Sequence, residues 1–151
     1  MTIDRNDILQ VMDQADAVYL ATVNGSAPRI RAMVNHRRKD IYPGPSEFAR
    51  AAGLTVYFYT SAASGKVREL RANPLASAYF ALPRESKGVM LAGTTEVLED
   101  MKSKEALWDE GWRIYWPSGP SDPDCAVVRL TPKEATGWWG SEPFYLDLRA
   151  L

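Results

Sequence analysis

The sequence predicts a mainly β domain, a closed antiparallel barrel carrying a few short helices. Six or seven runs of β-branched and aromatic residues recur along the chain, mostly joined by short turns. Only one of them is followed directly by a helix, which argues against a doubly wound sheet, and their spacing is too irregular for an immunoglobulin-like sandwich. At 151 residues, 46% hydrophobic and 25% charged, residues 1–151 are expected to form a single globular domain with its own core.

Residues 4–14 place Ile8, Leu9, Val11 and Met12 at helical spacing behind the capping candidates Asn6 and Asp7, so an amphipathic helix is expected first. Two β-favouring runs, 17–23 and 28–34, flank Asn24-Gly25, a hairpin signal. In the second run Ile30, Ala32 and Val34 alternate with Arg29, Arg31, Met33 and Asn35. The first set is expected to meet the core, while the other face carries two guanidiniums. Residues 36–53 hold two prolines and two glycines without alternation and read as a long connection with a helical turn at 46–52. A strand at 54–60 leads into a helix at 65–72, stopped by Asn73-Pro74. Strands follow at 75–82 and 88–98, then a helix at 101–113 with Leu107, Trp108 and Trp112 on its apolar side. A turn-rich segment, 116–124, precedes strands at 125–131 and 134–139, the last placing Trp138 and Trp139 on opposite faces.

Composition excludes several functions. Eighteen basic and nineteen acidic side chains nearly cancel, so no global field recruits nucleic acid or a membrane surface. The basic run Arg37-Arg38-Lys39 beside His36 reads as a solvated loop, since neither a recognition helix nor an aromatic RNA platform accompanies it. No apolar stretch approaches the roughly 20 residues of a membrane span, and the N-terminus lacks a signal core, so a cytoplasmic location is expected. The single cysteine, Cys125, begins a strand-like run and reads as a small buried hydrophobe. With one histidine and one cysteine, no structural zinc site is expected.

The stretch 58–74, FYTSAASGKVRELRANP, carries the chemistry. Thr60, Ser61, Ser64, Gly65 and Lys66 gather where a strand becomes a helix. Hydroxyls, free backbone N–H groups and a lysine there suit a phosphate. Lys66 in the first turn opposes the helix dipole unless an anion lies beside it. If the strands at 28–35 and 54–60 lie side by side, Arg31 and Lys66 can converge on that anion. The chain contains neither the G-x-x-x-x-G-K-[ST] nor the G-x-G-x-x-G pattern.

The order R-x-M-V, F-Y-T-x-x-x-S-x-K-x-x-E-L, N-P and V-M-L-A-G-x-x-E resembles the flavin-binding split barrels of the pyridoxamine 5'-phosphate oxidase family, over about residues 8–138. Within it the chain is most similar to the general stress protein 26-like branch, which shares a Leu107-Trp108 helix, a Pro/Gly segment with D-P-D, and a final V-x-R-x-T-P strand. The resemblance implies a six-stranded Greek-key split barrel and a homodimer with FMN between subunits. It implies that Arg31 reaches the phosphate or ribityl chain and that the backbone of Ala32, Met33 and Val34, on through His36, faces the isoalloxazine ring. Tyr59 and Thr60 would lie beside the flavin, Lys66 would hold the phosphate assisted by Ser61 and Ser64, and Trp112 is the tryptophan expected near the ring. Two positions depart from the oxidase pattern: Gly65 stands where the oxidase has an arginine, and Gly88 where it has a flavin-contacting glutamine. The tail, residues 141–151, also lacks the oxidase's arginine- and histidine-bearing substrate segment. The expectation is therefore an FMN flavoprotein of the stress-protein kind, passing electrons from NAD(P)H to a small acceptor, rather than a vitamin B6 oxidase. The alternatives are a non-catalytic flavin-binding or sensing module, or a split barrel binding the deazaflavin F420 or haem.

Overall fold

The computed structural model describes residues 1–149; the last two residues of the tail lie outside them. Helix α1 (Arg5–Gln14) starts at Asp4, whose carboxylate accepts from the Asp7 N–H while the Asp7 carboxylate accepts from the Asp4 N–H. The cap is thus one turn earlier than Asp7, because only Asp4 can complete this reciprocal pair. The helix buries Ile8, Val11 and Met12.

Strands β1 (Ala17–Asn24) and β2 (Ala27–Val34) form the expected hairpin, turning through Gly25-Ser26 with Gly25 at φ 62°. Helix α2 (Pro43–Ala51) starts earlier than the turn expected at 46–52, because prolines in a first turn forfeit no helical hydrogen bond. Strand β3 (Val56–Ser61) runs into α3 (Gly65–Ala72), and β4 (Leu75–Leu82) and β5 (Lys87–Leu98) pair as a hairpin.

Two expectations are corrected in the C-terminal half. The helix expected at 101–113 is α4 (Met101–Ala106) followed by a separate 3-10 turn, Glu110–Ile114. Asp109 causes the break: its carboxylate accepts from the Gly111 N–H and starts a new turn. The two strands expected at 125–131 and 134–139 are one, β6 (Cys125–Trp139). Gly93 faces Pro132 while Ala92 faces Glu134, which leaves Lys133 as the extra residue of a bulge. Strand β7 (Glu142–Asp147), hydrogen-bonded to β6, has no counterpart in the sequence reading, because Pro143 makes it read as tail; an outer strand tolerates the missing donor.

The result is mainly β. Six antiparallel strands, in the order β2-β1-β4-β5-β6-β3, curl into a half-barrel, and β7 adds to β6 off this path. Phe58, Phe80, Leu20, Leu91, Leu130, Ile8 and Met12 fill its interior. A smaller cluster, Tyr59, Leu107, Cys125 and Val127, lies under the tryptophan-bearing segment. Strands β2 and β3 end the sheet and approach one another without pairing, so a gap remains where a closed barrel would have a seam.

The inward face of β2 is the reverse of the expected one. Register sets Met33 opposite buried Val18 and Arg31 opposite buried Leu20, so the arginine-bearing face turns inward. Ile30, 71% exposed, and Val34 turn outward with Tyr19. The wholly buried Asn35 ends this face by donating to the carbonyls of Met12 and Ala15, which closes the C-terminus of α1.

Candidate functional site

The gap between the β2 and β3 edges is the mouth of a cleft of about 650 Å³. It is lined by Ala32, Met33 and Val34 from β2, Tyr59, Thr60 and Ser61 from β3, Lys66 from α3, and Ile114, Tyr115, Trp116 and Asp124 from the segment that follows α4. That volume falls in the range of small-molecule and cofactor sites. Seven of the residues expected from the sequence are therefore brought together: Ala32, Met33, Val34, Tyr59, Thr60, Ser61 and Lys66. As a sheet-edge strand, β2 also presents backbone N–H and C=O groups that no neighbouring strand takes.

The polar end is built around α3. Ser64 occupies the N-cap position, yet its hydroxyl makes no capping bond and is buried without a partner. The half-buried Lys66 donates from Nζ to Thr60 Oγ1 at 3.0 Å. Burial, and after it the nearby Arg31 charge, lowers the Lys66 pKa from its ordinary value. No acidic residue stands in this first turn to offset the dipole.

Arg31 is near Lys66 but does not line the cleft. Its guanidinium turns inward, donating to the Leu20 carbonyl at 3.3 Å, Thr22 Oγ1 at 2.7 Å and Glu69 Oε1 at 2.9 Å. The Thr22 hydroxyl donates to the same Glu69 oxygen, and it and Arg31 hold the Glu69 carboxyl below the usual carboxylate range. Arg31 is thus committed to an internal ion pair. Ser61 is committed as well, since its hydroxyl donates to Asp124 Oδ2 at 2.6 Å. Asp124 also accepts from Trp116 Nε1 at 3.2 Å and from the Ala63 N–H at 3.2 Å, pinning the loop before α3 to the aromatic segment. These bonds, that of Ser61 foremost, lower the Asp124 pKa.

Tyr59 joins the cleft to an aromatic cluster. Its ring lies 4.9 Å from Trp112, 5.4 Å from Trp116 and 5.9 Å from Trp108, centroid to centroid. Burial raises the Tyr59 pKa and fixes the phenol in its neutral form. Trp112 lies behind this layer, T-shaped against His36 at 5.5 Å, and it is Trp116 that faces the cleft. His36 is 2% exposed, with both ring nitrogens unpartnered, and burial lowers its pKa to about 4. Of the expected site residues, then, Arg31, Ser64 and Trp112 do not line the cleft.

The sequence reading missed Ile114 and Asp124 as lining residues, and within the aromatic segment it chose Trp112 where Tyr115 and Trp116 line the cleft. Asp124 had a legible signal, a carboxylate in a Pro/Gly loop of a chain with a Ser-rich strand end, but its partner lies 63 residues away.

Another groove, of about 480 Å³, crosses the outer face of β1, β4 and β5 near Leu75, Ser77 and Ala92. Its lining also holds Thr22, Lys133, Glu134 and Arg149, but no helix N-terminus. Among the described residues no three His, Cys, Asp or Glu side chains are placed to hold a metal ion, and no helix is long and apolar enough to cross a membrane.

A half-barrel whose open seam carries a lysine, hydroxyls and an aromatic wall is the architecture of a split barrel. The chain belongs to the pyridoxamine 5'-phosphate oxidase-like family, whose model matches residues 46–146. A structure of a Clostridium acetobutylicum protein related to general stress protein 26 of B. subtilis is similar at 25% identity and TM-score 0.76, over 98% of this chain and 99% of that one. General stress protein 26 of Bacillus anthracis shares the fold at 17% identity and TM-score 0.74, over 95% and 98%. A haem-binding protein of Mycobacterium smegmatis shares it at 15% identity and TM-score 0.66, over 99% of this chain and 60% of that one. No curated protein matches the chain in sequence.

Proposed function

We propose that the protein is a homodimeric FMN flavoprotein that passes electrons from NAD(P)H to a small acceptor. The observation that carries this reading is the seam cleft, with Lys66 and Thr60 at one end and the β2 edge and Trp116 along its length. Those residues fit FMN: a cation and a hydroxyl for a phosphate, free strand-edge groups for the polar rim of a flat ring, and apolar side chains for its faces. When bound, FMN supplies the redox chemistry itself. The chain's part is to grip the phosphate, orient the ring and exclude water. The neutral Tyr59 phenol and the apolar Met33 and Val34 add no charge to the cleft.

The test is the visible spectrum of the purified protein, followed by FMN titration of the apo fraction and steady-state turnover with NADH and NADPH. Flavin bands, tight FMN binding and acceptor-dependent nicotinamide oxidation support the proposal. FMN binding without turnover moves it to a flavin-binding or sensing module, and a colourless protein that ignores FMN overturns it. Haem ligation through the chain's one histidine is disfavoured, because His36 is sealed behind Tyr42 and Trp112.

Lys66→Ala should weaken FMN binding by about 1.5–3 kcal/mol, the range for a charge-assisted hydrogen bond, while leaving the unfolding midpoint unchanged. An unaltered dissociation constant would place the phosphate elsewhere.

A further inference from the structure

A phosphate monoester carries nearly two negative charges, and Lys66 supplies one positive charge at the cleft. Arg31 would be the second, but Glu69 neutralises it and its three hydrogen bonds point inward. Asp124 adds a carboxylate to the same cleft. The charge balance therefore calls for another cation.

We infer that Arg68 is that cation, a phosphate-binding residue at the N-terminus of α3; the inference rests on the FMN reading above. Side chains on a helix lean toward its N-terminus, and Arg68 takes this course fully. Its Nη1 reaches the Ala63 carbonyl, at 3.5 Å, on the loop that precedes the helix. Its Nη2 lies 3.5 Å from where a Cβ on Gly65 would be, so the guanidinium covers the glycine of the first helical position. Lys66 and Arg68 both stand in the first half of a helix whose first turn holds no acidic residue, so each opposes the dipole. An anion at the helix N-terminus adds an attraction to each cation and to the dipole. The buried Ser64 hydroxyl, unpartnered at the N-cap between Ala63 and Gly65, supplies a donor at the same point.

Arg68 is also free to respond. It is exposed, and among the described residues its side chain makes no ion pair and one long hydrogen bond, to Ala63.

The test compares FMN with riboflavin, which lacks the phosphate. Wild type should bind FMN more tightly than riboflavin. Arg68→Gln should lower FMN affinity about tenfold, the scale of a charge-assisted hydrogen bond, and leave riboflavin affinity unchanged. Arg68→Lys should recover part of the loss. The unfolding midpoint of the apo protein should not move, because the side chain is exposed. If wild type prefers FMN and Arg68→Gln keeps the full preference, the inference fails while the FMN reading stands. If wild type binds both flavins equally or neither, the phosphate grip fails and the inference with it.

Discussion

Arg37 and His36 show what single residues do beneath the site. In sequence they belong to a basic run that reads as solvated, yet both are buried. Arg37 donates to Asp13 at 2.7 Å and to the carbonyls of Ala49 and Gly53, closing the C-terminal end of α2 and tying it to α1. His36 fills the space between Tyr42 and Trp112 as a neutral ring. Because its folded pKa, about 4, lies below the ordinary 6.5, the unfolded chain binds the proton more readily, and stability is lost as pH falls between those values. His36 alone should lower the unfolding free energy by about 3 kcal/mol between pH 7 and pH 4. His36→Phe should flatten that part of the profile in urea titrations at pH 4–7. A wild-type slope unchanged in the variant would mean that the ring is already protonated or solvated in the folded state.

At the scale of elements, the β6 bulge decides how the sheet curls. Gly93 lies against the Thr131 carbonyl and the Pro132 Cα, leaving no room for a Cβ. This close approach lets β5 and β6 bend at one point and carry β3 round toward β2. Gly93→Ala must displace backbone rather than a flexible side chain. It should cost about 1–3 kcal/mol, the range for overpacking, measured by chemical denaturation. It should also weaken FMN binding, because the seam width depends on the curl. Wild-type stability in this variant would show that the strands separate freely at the bulge.

At the scale of the whole molecule, the outer face of the β1–β2 hairpin is apolar. Tyr19, Ile30 and Val34 turn outward there, and Ile114 and Tyr115, exposed at 78% and 68%, stand at the cleft mouth. A second copy laid over this face would bury it and cover the cleft, as the homodimer reading requires. Ile30→Asp should convert a dimer into a monomer in sedimentation or light scattering with its circular dichroism unchanged, because Ile30 contributes nothing to its own core. A variant that stays dimeric would move the interface elsewhere.

Much of this was legible in the sequence, and the boundary follows the range of the forces. The strand runs, the 65–72 helix and the Ser64-Gly65-Lys66 start are local, fixed by propensity, capping and stop signals within a few residues, so the mainly β fold and one end of the site could be read directly. Three things depended on partners distant in the chain. The inward face of β2 was set by its register with β1 and by Glu69, 38 residues beyond Arg31, which supplied an ion partner for a charged inner face. The fusion of two expected strands into β6 was set by the space Gly93 leaves at Pro132. The split between committed cations and available ones, Arg31 against Lys66 and Arg68, was set by which carboxylates folding brought within hydrogen-bond reach. Sequence by itself determined which residues could hold an anion; tertiary structure decided which of them are available to do so, because charges neutralise across space rather than along the chain.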